Sequence, residues 1–423
     1  MGAPRKDDLA GLRSGHRAQG LTTRRLIAAA ALAVASILAA CGTIDRTSPD
    51  SVPPPLAVAG EHDPRIRTSD PARLAALVGD MERRVIRADR PQTILALSGG
   101  GANGAYGAGL LYGWSEAGDR PEFDIVTGVS TGALAAPFAF LGPDWDDQLL
   151  LAFVGGEAEQ LLQPHGLPFL RQPSLLSDRG LRELVGRYVT RELLAAIAAE
   201  HAQGRRLLVG TTNLDTQETV IWDMGALATE GGDDALALFR DVLVASASIP
   251  GVFPPVMIPA TRADGEVVLE MHVDGGVNAP FLAIPEDLLM WTSPVPPAHE
   301  GRLYVVVNGQ AGRDADLTEG DIQGILSRAY DSMSRASVRV HLAATAAFAD
   351  RNGMSMSVSA IPDNLSASSL SFDMASMLNR FAEGRARAHE GAWTPFAPLS
   401  ESPASALGDL LDRDATGPGA ERP

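Results

Sequence analysis

Cysteine is nearly absent from the sequence. The chain has 423 residues and one cysteine, Cys41. A single thiol excludes an internal disulfide framework, and it excludes a zinc site built from several cysteines. The position of this thiol is informative, because it comes directly after an apolar run.

Positive charge is also scarce. The chain has 35 Lys and Arg against 52 Asp and Glu, a net charge of -17. Residues 1–40 hold six of the basic side chains and only two acidic ones, which leaves -21 for the remainder. Phosphate groups repel such a surface, so we expect no nucleic acid partner and no attachment to anionic lipid through charge alone. The basic first 40 residues form a separate module.

No apolar run is long enough to cross a bilayer comfortably. The run of 15 residues before Cys41 follows Arg24 and Arg25, and a basic flank before a short apolar core is typical of a signal peptide. The run ends in Leu-Ala-Ala-Cys-Gly, which resembles the lipobox of bacterial lipoproteins, whose cysteine is diacylated. We therefore predict a signal peptide over 1–40 and a lipid anchor on Cys41. Gly42, in place of Asp, favours the outer membrane by resemblance to lipoprotein sorting signals, with the folded domain in the periplasm or at the cell surface.

Composition divides the rest of the chain into three parts. Residues 41–72 are rich in Pro, Ser, Asp and Thr and predict a flexible tether, and the Pro-, Ala- and Gly-rich residues 394–423 predict a disordered tail. Between 73 and 393, short apolar runs alternate with helical patterns, which predicts one α/β domain with helices on both faces of a sheet. Strands are expected at 93–97, 123–126, 206–212, 219–223, 267–273, 303–308 and 354–360. Helices are expected over 105–117, 179–202, 233–247, 321–348 and 373–389, with another ending at Phe140.

The motif Gly128-Val-Ser130-Thr-Gly132 falls between a predicted strand and a predicted helix. It matches G-x-S-x-G, in which flanking glycines let a strained turn project the serine from the edge of the sheet. The pattern alone is short enough to arise by chance, but the strand-to-helix context is the one that it requires. Ser130 is therefore the candidate nucleophile.

A glycine-rich turn follows the first predicted strand, in the order Ser98-Gly-Gly-Gly-Ala-Asn-Gly104. Consecutive glycines before a helix leave several backbone N–H groups free to point at one anion, either a nucleotide phosphate or the oxyanion of a tetrahedral intermediate. A dinucleotide site needs an acidic residue at the end of the next strand, where this chain has the serine motif instead. The oxyanion is the favoured ligand, and the candidate residues are Gly99, Gly100, Gly101, Ala102, Asn103 and Gly104.

A third motif, Asp274-Gly275-Gly276, ends a strand-like run. An aspartate at a strand end, followed by glycines that permit close backbone approach, suits a base that takes the proton of a serine. Asp-Gly is also a common turn with no catalytic role, so the dipeptide alone decides nothing.

The three motifs in this order, with the segment ASASIPGVF between the last two, resemble the patatin-like phospholipase family over about residues 94–373. The resemblance implies a three-layer α/β/α fold with a mainly parallel central sheet, and a Ser/Asp dyad that cleaves acyl esters of lipids without calcium. Ser130 would be the nucleophile, Asp274 its base, and residues 99–104 the oxyanion loop. We therefore expect a phospholipase A-like or lysophospholipase-like serine hydrolase that needs no metal or other cofactor, with membrane lipids as substrate and anchor.

Asn103 departs from the pattern of the family, because many members have Lys or Arg at this place in the glycine loop. We expect activity to be tempered, since Asn still donates a neutral hydrogen bond. An inactive, lipid-anchored binding or assembly protein with the same fold is the alternative, and a nucleotide enzyme is a third reading of the loop. The stretch 155–177, rich in Leu, Pro and Gly, is expected to form an apolar cover and part of the acyl pocket wall.

A catalytic dyad does without histidine, but a Ser/Asp/His triad is the competing arrangement. By chain order, His299, His341 and His389 are its candidates. We interpret all three as loop or helix-surface residues. His272 shares a strand face with Asp274 and is interpreted as structural.

Overall fold

The computed structural model describes residues 63–87, 90–161, 174, 176–261, 265–294, 297, 299–312, 317–318, 320–362, 369 and 371–396. The predicted signal peptide, the predicted lipidation site Cys41, and most of the predicted tether and tail lie outside these residues.

A ten-stranded sheet forms the centre of the fold, in the order β1-β5-β4-β3-β2-β8-β9-β10, with β7 pairing β4 and β6 pairing β7. The five middle strands, from β4 to β9, are parallel, and the strands at both margins are antiparallel. The strands are β1 (Arg65–Arg67), β2 (Thr93–Leu97), β3 (Ile125–Val129), β4 (Arg206–Asn213), β5 (Glu218–Asp223), β6 (Val256–Thr261), β7 (Val267–Asp274), β8 (Gly301–Val307), β9 (Met354–Ala360) and β10 (Thr394–Pro395).

Helices cover both faces of this sheet. They are α1 (Pro71–Arg87), α2 (Gly104–Ala117), α3 (Thr131–Leu141), α4 (Asp146–Val154), α5 (Glu157–Leu161), α6 (Asp178–Tyr188), α7 (Arg191–Ala202), α8 (Met224–Glu230), α9 (Gly232–Ser246), α10 (Ile322–Arg351) and α11 (Met374–Glu390). Leu95 and Leu97 of β2 join one core cluster, whereas Ile94 and Ala96 join the other, because successive strand residues point to opposite faces. The second cluster includes α1 and α10, and the first includes the remaining helices. The predicted three-layer α/β/α fold is confirmed.

One predicted helix is wrong in its extent. The pattern over 179–202 predicts a single helix, but the structure has α6 and α7, separated by an extended Val189 and Thr190. Thr190 caps α7, because its side chain accepts a hydrogen bond from the amide of Leu193. The marginal strands β1, β6 and β10 and the helices α1, α4, α5 and α8 were not predicted from the sequence.

The folded part extends beyond both predicted boundaries. The predicted tether reaches residue 72, yet Arg65–Arg67 already pairs with β5, and Thr394–Pro395 pairs with β9 beyond the predicted end at residue 393. Arg67 and Arg65 bind the buried carboxylate of Glu270 on β7, at 2.6 and 3.2 Å. Burial raises the pKa of this carboxyl, but the hydrogen bond from His272 and the charges of the two arginines outweigh burial and hold the pKa of Glu270 at about 2. These ion pairs tie β1 to the strand that carries Asp274.

Within the described ranges, no helix has both the length and the apolar character that crossing a membrane requires.

Candidate active site

Ser130 occupies a strained turn between β3 and α3. Its backbone has φ 57° and ψ -128°, a conformation that non-glycine residues seldom adopt and that is found at functional sites. The turn is held because the Ser130 amide donates to Ser246 Oγ at 3.0 Å, and the amides of Ala133 and Leu134 donate back to the Ser130 carbonyl. Ser130 is thus fixed at the carboxyl edge of the sheet.

The glycines on either side of Ser130 are required by close backbone contacts. A Cβ atom on Gly128 would lie 2.6 Å from Ala133 Cα, and one on Gly132 would lie 2.4 Å from the carbonyl oxygen of Leu97. Both distances are far below normal contact, so neither position accepts a side chain without movement of the backbone.

Asp274 ends β7 and faces Ser130. Its Oδ2 accepts a hydrogen bond from Ser130 Oγ at 2.5 Å, and its Oδ1 accepts one from the amide of Gly276 at 2.7 Å. A Cβ atom on Gly275 would lie 2.4 Å from the carbonyl oxygen of Gly210, which explains the first glycine of the motif. The two residues are 4% and 5% exposed, so the hydrogen bond between them is shielded from water.

Burial dominates the electrostatics of this aspartate. Removal from water raises the pKa of Asp274 from 3.8 to about 7, although the hydrogen bonds from Ser130 and Gly276 favour the ionised form. No cation is among the causes of the shift. A carboxyl with a pKa near neutrality is well placed to accept a proton and to return it.

The glycine loop lies directly against Ser130. A Cβ atom on Gly99 would lie 3.0 Å from Ser130 Cβ. Four of the six predicted amides in the loop are already bonded: Gly99 to the Pro280 carbonyl, Ala102 to that of Ser369, Asn103 to that of Gly100, and Gly104 to those of Gly101 and Ala102.

The remaining two amides are those of Gly100 and Gly101, which make no hydrogen bond to any residue that the structure describes. The set of six candidate donors is therefore too wide, because the loop uses most of its own N–H groups to hold its shape. Gly101 has φ +55°, and its position leaves no room for a Cβ atom, which would lie 2.2 Å from the Ser369 carbonyl oxygen. The side chain of Asn103 is buried, and its Oδ1 has no partner among the described residues.

Asn308 is a residue of this site that the sequence did not reveal. It follows β8, and its amide and Nδ2 donate to the Oγ and the carbonyl oxygen of Ser98, at 2.7 and 2.8 Å. Its Oδ1 accepts from the Gly107 amide at 3.0 Å. Its carbonyl oxygen lies 2.0 Å from where a Cβ atom on Gly100 would be. Asn308 therefore clamps the glycine loop from both ends, and its signal in the sequence is a lone polar residue directly after a buried strand.

An apolar cavity opens beside Ser130, and its space is about 760 Å³ when the solvent at its open mouth is included. Its wall combines Gly101 and Ser130 with apolar side chains from α3, α4, α6, α9 and α11, among them Leu134, Phe138, Phe153, Leu184, Leu243 and Met377. The predicted cover 155–177 lies partly outside the described residues, and its described residues are not part of this wall. Helices α6 and α9 supply the wall instead.

The histidines lie away from the dyad. His341 contacts the carbonyl oxygen of Ser337 within α10, His389 contacts Glu116, and His299 is exposed. His272 is buried two residues before Asp274, but its ring nitrogens face Thr211 Oγ1 and Glu270 Oε2, and burial lowers its pKa. Among the described histidines, none forms a hydrogen bond with Ser130 or Asp274, as a triad would require.

Comparison with known proteins finds a family model that is similar to this region. Residues 95–285 match the family model described as Patatin-like phospholipase, a stretch that includes both Ser130 and Asp274. No curated protein matches the sequence.

Two solved structures are similar over much of the chain. VipD from Legionella pneumophila has 13% identity and a TM-score of 0.36, with 76% of this chain and 74% of VipD covered. The type III effector protein ExoU has 13% identity and a TM-score of 0.26, with 77% and 60% covered. Scores this low carry no information on function.

The raised pKa of Asp274 predicts a stability effect that does not depend on catalysis. Between pH 3.8 and about 7 the folded state binds a proton that the unfolded state has lost, so this group's contribution to stability is present at low pH and is lost as pH rises through 7. Asp274→Asn removes that penalty while keeping an acceptor for Gly276. We expect the variant to gain up to about 4 kcal/mol over wild type between pH 4 and pH 8.

Urea denaturation at both pH values measures this gain. The exposed Asp147→Asn is the matched control for the loss of one carboxylate. An Asp274→Asn advantage that is equal at pH 4 and pH 8 contradicts the burial argument.

Proposed function

We propose that the protein is a lipid acyl hydrolase that cleaves carboxylic esters with Ser130 and Asp274, and the match of residues 95–285 to the patatin-like phospholipase family model supports this proposal. The observation that carries the proposal is the 2.5 Å hydrogen bond between Ser130 Oγ and Asp274 Oδ2 in a buried site. A nucleophile within hydrogen-bond reach of its base is the arrangement that covalent acyl transfer needs.

The reaction begins when Ser130 Oγ attacks the ester carbonyl and Asp274 Oδ2 takes its proton. The tetrahedral intermediate places its negative oxygen at the free amides of Gly100 and Gly101, which donate hydrogen bonds to it. The intermediate collapses to an acyl-serine, and Asp274 gives its proton to the leaving alcohol. Asp274 then deprotonates a water molecule, which attacks the acyl-serine and releases the fatty acid, and the proton returns to Ser130.

The cavity beside Ser130 supports an acyl chain as the bound part of the substrate. Its lining is almost entirely aliphatic and aromatic, and transfer of methylene groups from water to such a wall contributes about 0.8 kcal/mol each. The dyad stands at one side of the cavity, so a chain that fills it would present its ester to the nucleophile. We therefore propose phospholipids or lysophospholipids as the substrate class.

The second candidate is an inactive binding or assembly protein with the same fold. Asn103 favours it, because this chain has no cation in the glycine loop to help hold an oxyanion. The free amides of Gly100 and Gly101 favour activity, since backbone donors serve an oxyanion without any cation. We therefore propose the hydrolase rather than the inactive binding protein.

We further propose that the protein is exported and attached to a bacterial membrane, with the outer membrane favoured, by lipid on Cys41. The support is the sequence alone, namely the basic flank, the short apolar core and the lipobox-like ending. The domain would then lie in the periplasm or at the cell surface, and the acyl groups would hold an acidic body at an anionic membrane.

Removal of either dyad residue is expected to abolish hydrolysis. Ser130→Ala lacks the nucleophile and Asp274→Asn lacks the base, so each should lower kcat on a medium-chain nitrophenyl ester by about 10³-fold or more. The exposed Ser334→Ala and Asp147→Asn are matched controls and should retain wild-type rates. Wild-type turnover in either dyad variant would refute the proposed mechanism.

Asn308 is expected to act as a positioning residue for the oxyanion donors. Asn308→Ala removes the side-chain bonds to the Ser98 carbonyl oxygen and the Gly107 amide, although the backbone amide keeps its bond to Ser98 Oγ. The loop should then be held less firmly, so kcat should fall about 10- to 100-fold with little change in KM. Asn352, which makes comparable bonds at the end of α10, is the matched control as Asn352→Ala. Steady-state kinetics on the soluble ester separate kcat from KM. A change confined to KM, or an equal fall in both variants, would contradict this role.

A further inference from the structure

Helix α10 is much longer than the sheet on which it packs. Its 30 residues span about 45 Å, whereas the seven residues of β8 or β9 span about 23 Å. The helix ends next to the start of β9 and runs antiparallel to it, so about its last 15 residues cover the sheet. Residues 322–337, which we call the overhang, therefore extend about 24 Å past the carboxyl ends of the strands.

Contacts along α10 agree with this geometry. Val338, Leu342, Ala346 and Ala349 are buried against the sheet. Arg335 and Arg339 bind the loop that follows β8, through Gln310 Oε1, Gly312 O and Ala311 O, so they lie level with the carboxyl edge. In the overhang, none of the side chains that the structure describes is buried.

The overhang starts at the edge of the sheet that carries the dyad. Ser130 follows the carboxyl end of β3, and α10 passes the same edge beside β8. Burial of its hydroxyl end and the negative charge of Asp274 both raise the pKa of Tyr330, although more than half of this residue is exposed. The overhang is therefore within electrostatic reach of the catalytic centre.

An apolar stripe runs along the solvent side of α10. Its members are Ile325, Ala329, Met333, Ala336 and Val340, all exposed and spaced three or four residues apart. At 100° per residue they occupy a sector of about 80°, and the buried positions of the helix lie on the opposite side. Ile325, Met333 and Val340 are 53%, 72% and 66% exposed. The helix thus has a second apolar face that no described element covers.

The charge of this segment differs from that of the rest of the protein. Residues 322–341 contain Arg328, Arg335 and Arg339 against Asp331 alone, a net +2 in a chain of net charge -17. Basic side chains beside an apolar helix face are the composition of helices that lie at a lipid surface.

We propose that the apolar stripe of α10 docks on a lipid bilayer and brings the catalytic edge of the domain to its substrate. The choice of lipid as the partner rests on the proposed lipid hydrolysis, on the position of the overhang at the catalytic edge, and on the net charge of +2 over residues 322–341, of which the overhang itself carries +1. Docking would let a lipid leave the bilayer and enter the cavity beside Ser130 without crossing bulk water.

The single native cysteine permits a position-specific test. In the full chain with Cys41→Ser and Ser130→Ala, Met333→Cys carries an environment-sensitive nitrobenzoxadiazole label, and vesicles of equal parts phosphatidylethanolamine and phosphatidylglycerol are added. We expect a blue shift and a several-fold rise in emission. The matched control is Val267→Cys, because Val267 is 62% exposed and lies at the far end of β7 from Asp274. The control label should not respond.

Each outcome decides the proposal. No response at position 333, or equal responses at both positions, overturns it. A blue shift at position 333 that appears without vesicles and grows as the protein concentration is raised also overturns the proposal, because a second copy of the chain then covers the stripe. The inactive background makes this result independent of catalysis.

A kinetic arm tests the consequence for turnover. The double variant Ile325→Ser, Met333→Ser should hydrolyse vesicle phospholipid at least tenfold more slowly than wild type and the soluble ester at an unchanged rate. Equal loss on both substrates overturns docking. If wild type hydrolyses neither substrate, the proposed function fails, and the label still decides whether the stripe meets lipid.

Discussion

The hydrogen bond between Ser130 and Asp274 is the interaction on which the rest of the site depends. It joins two side chains from distant strands, β3 and β7, in surroundings from which water is excluded. Exclusion of water raises the pKa of Asp274 to about 7, a value that suits the role of base that we propose for this carboxyl near neutral pH. The same burial disfavours the folded state when the carboxyl is ionised, so the catalytic arrangement is expected to reduce stability.

The fold positions Ser130 and Asp274 by packing the backbones of neighbouring strands and turns unusually close together. Glycine stands at Gly128, Gly132 and Gly275 because a Cβ atom would collide with a neighbouring strand or turn. The glycine loop bonds most of its own amides and leaves those of Gly100 and Gly101 without a partner among the described residues, while Asn308 fixes the loop to the end of β8. Four residues before Asp274 on β7, Glu270 forms ion pairs with the two arginines of β1, which anchor the strand that presents Asp274.

The sequence allowed the central part of this arrangement to be predicted, because short motifs and period-two strands are local signals. The five parallel strands, the elbow at Ser130 and the turn at Asp274 all lie where local patterns predict them. Features that depend on tertiary pairing were missed. The strand β1 is three residues long and is held by buried ion pairs, Asn308 acts only through contacts with a loop 200 residues earlier, and the cavity wall comes from five separate helices. The division of residues 178–202 into two helices has a local signal, the capping Thr190, which the continuous helical pattern concealed.

The most direct test of the central claim is the pH dependence of the rate at which a fluorophosphonate probe modifies Ser130, followed by mass spectrometry of the labelled peptide. If Asp274 is the base and its pKa is about 7, the rate in wild type should rise with pH and level off above 7, and Asp274→Asn should remain unlabelled. Labelling of Ser130 at a rate that is independent of pH across this range, or equally fast in Asp274→Asn, would contradict the claim that this buried aspartate activates the serine.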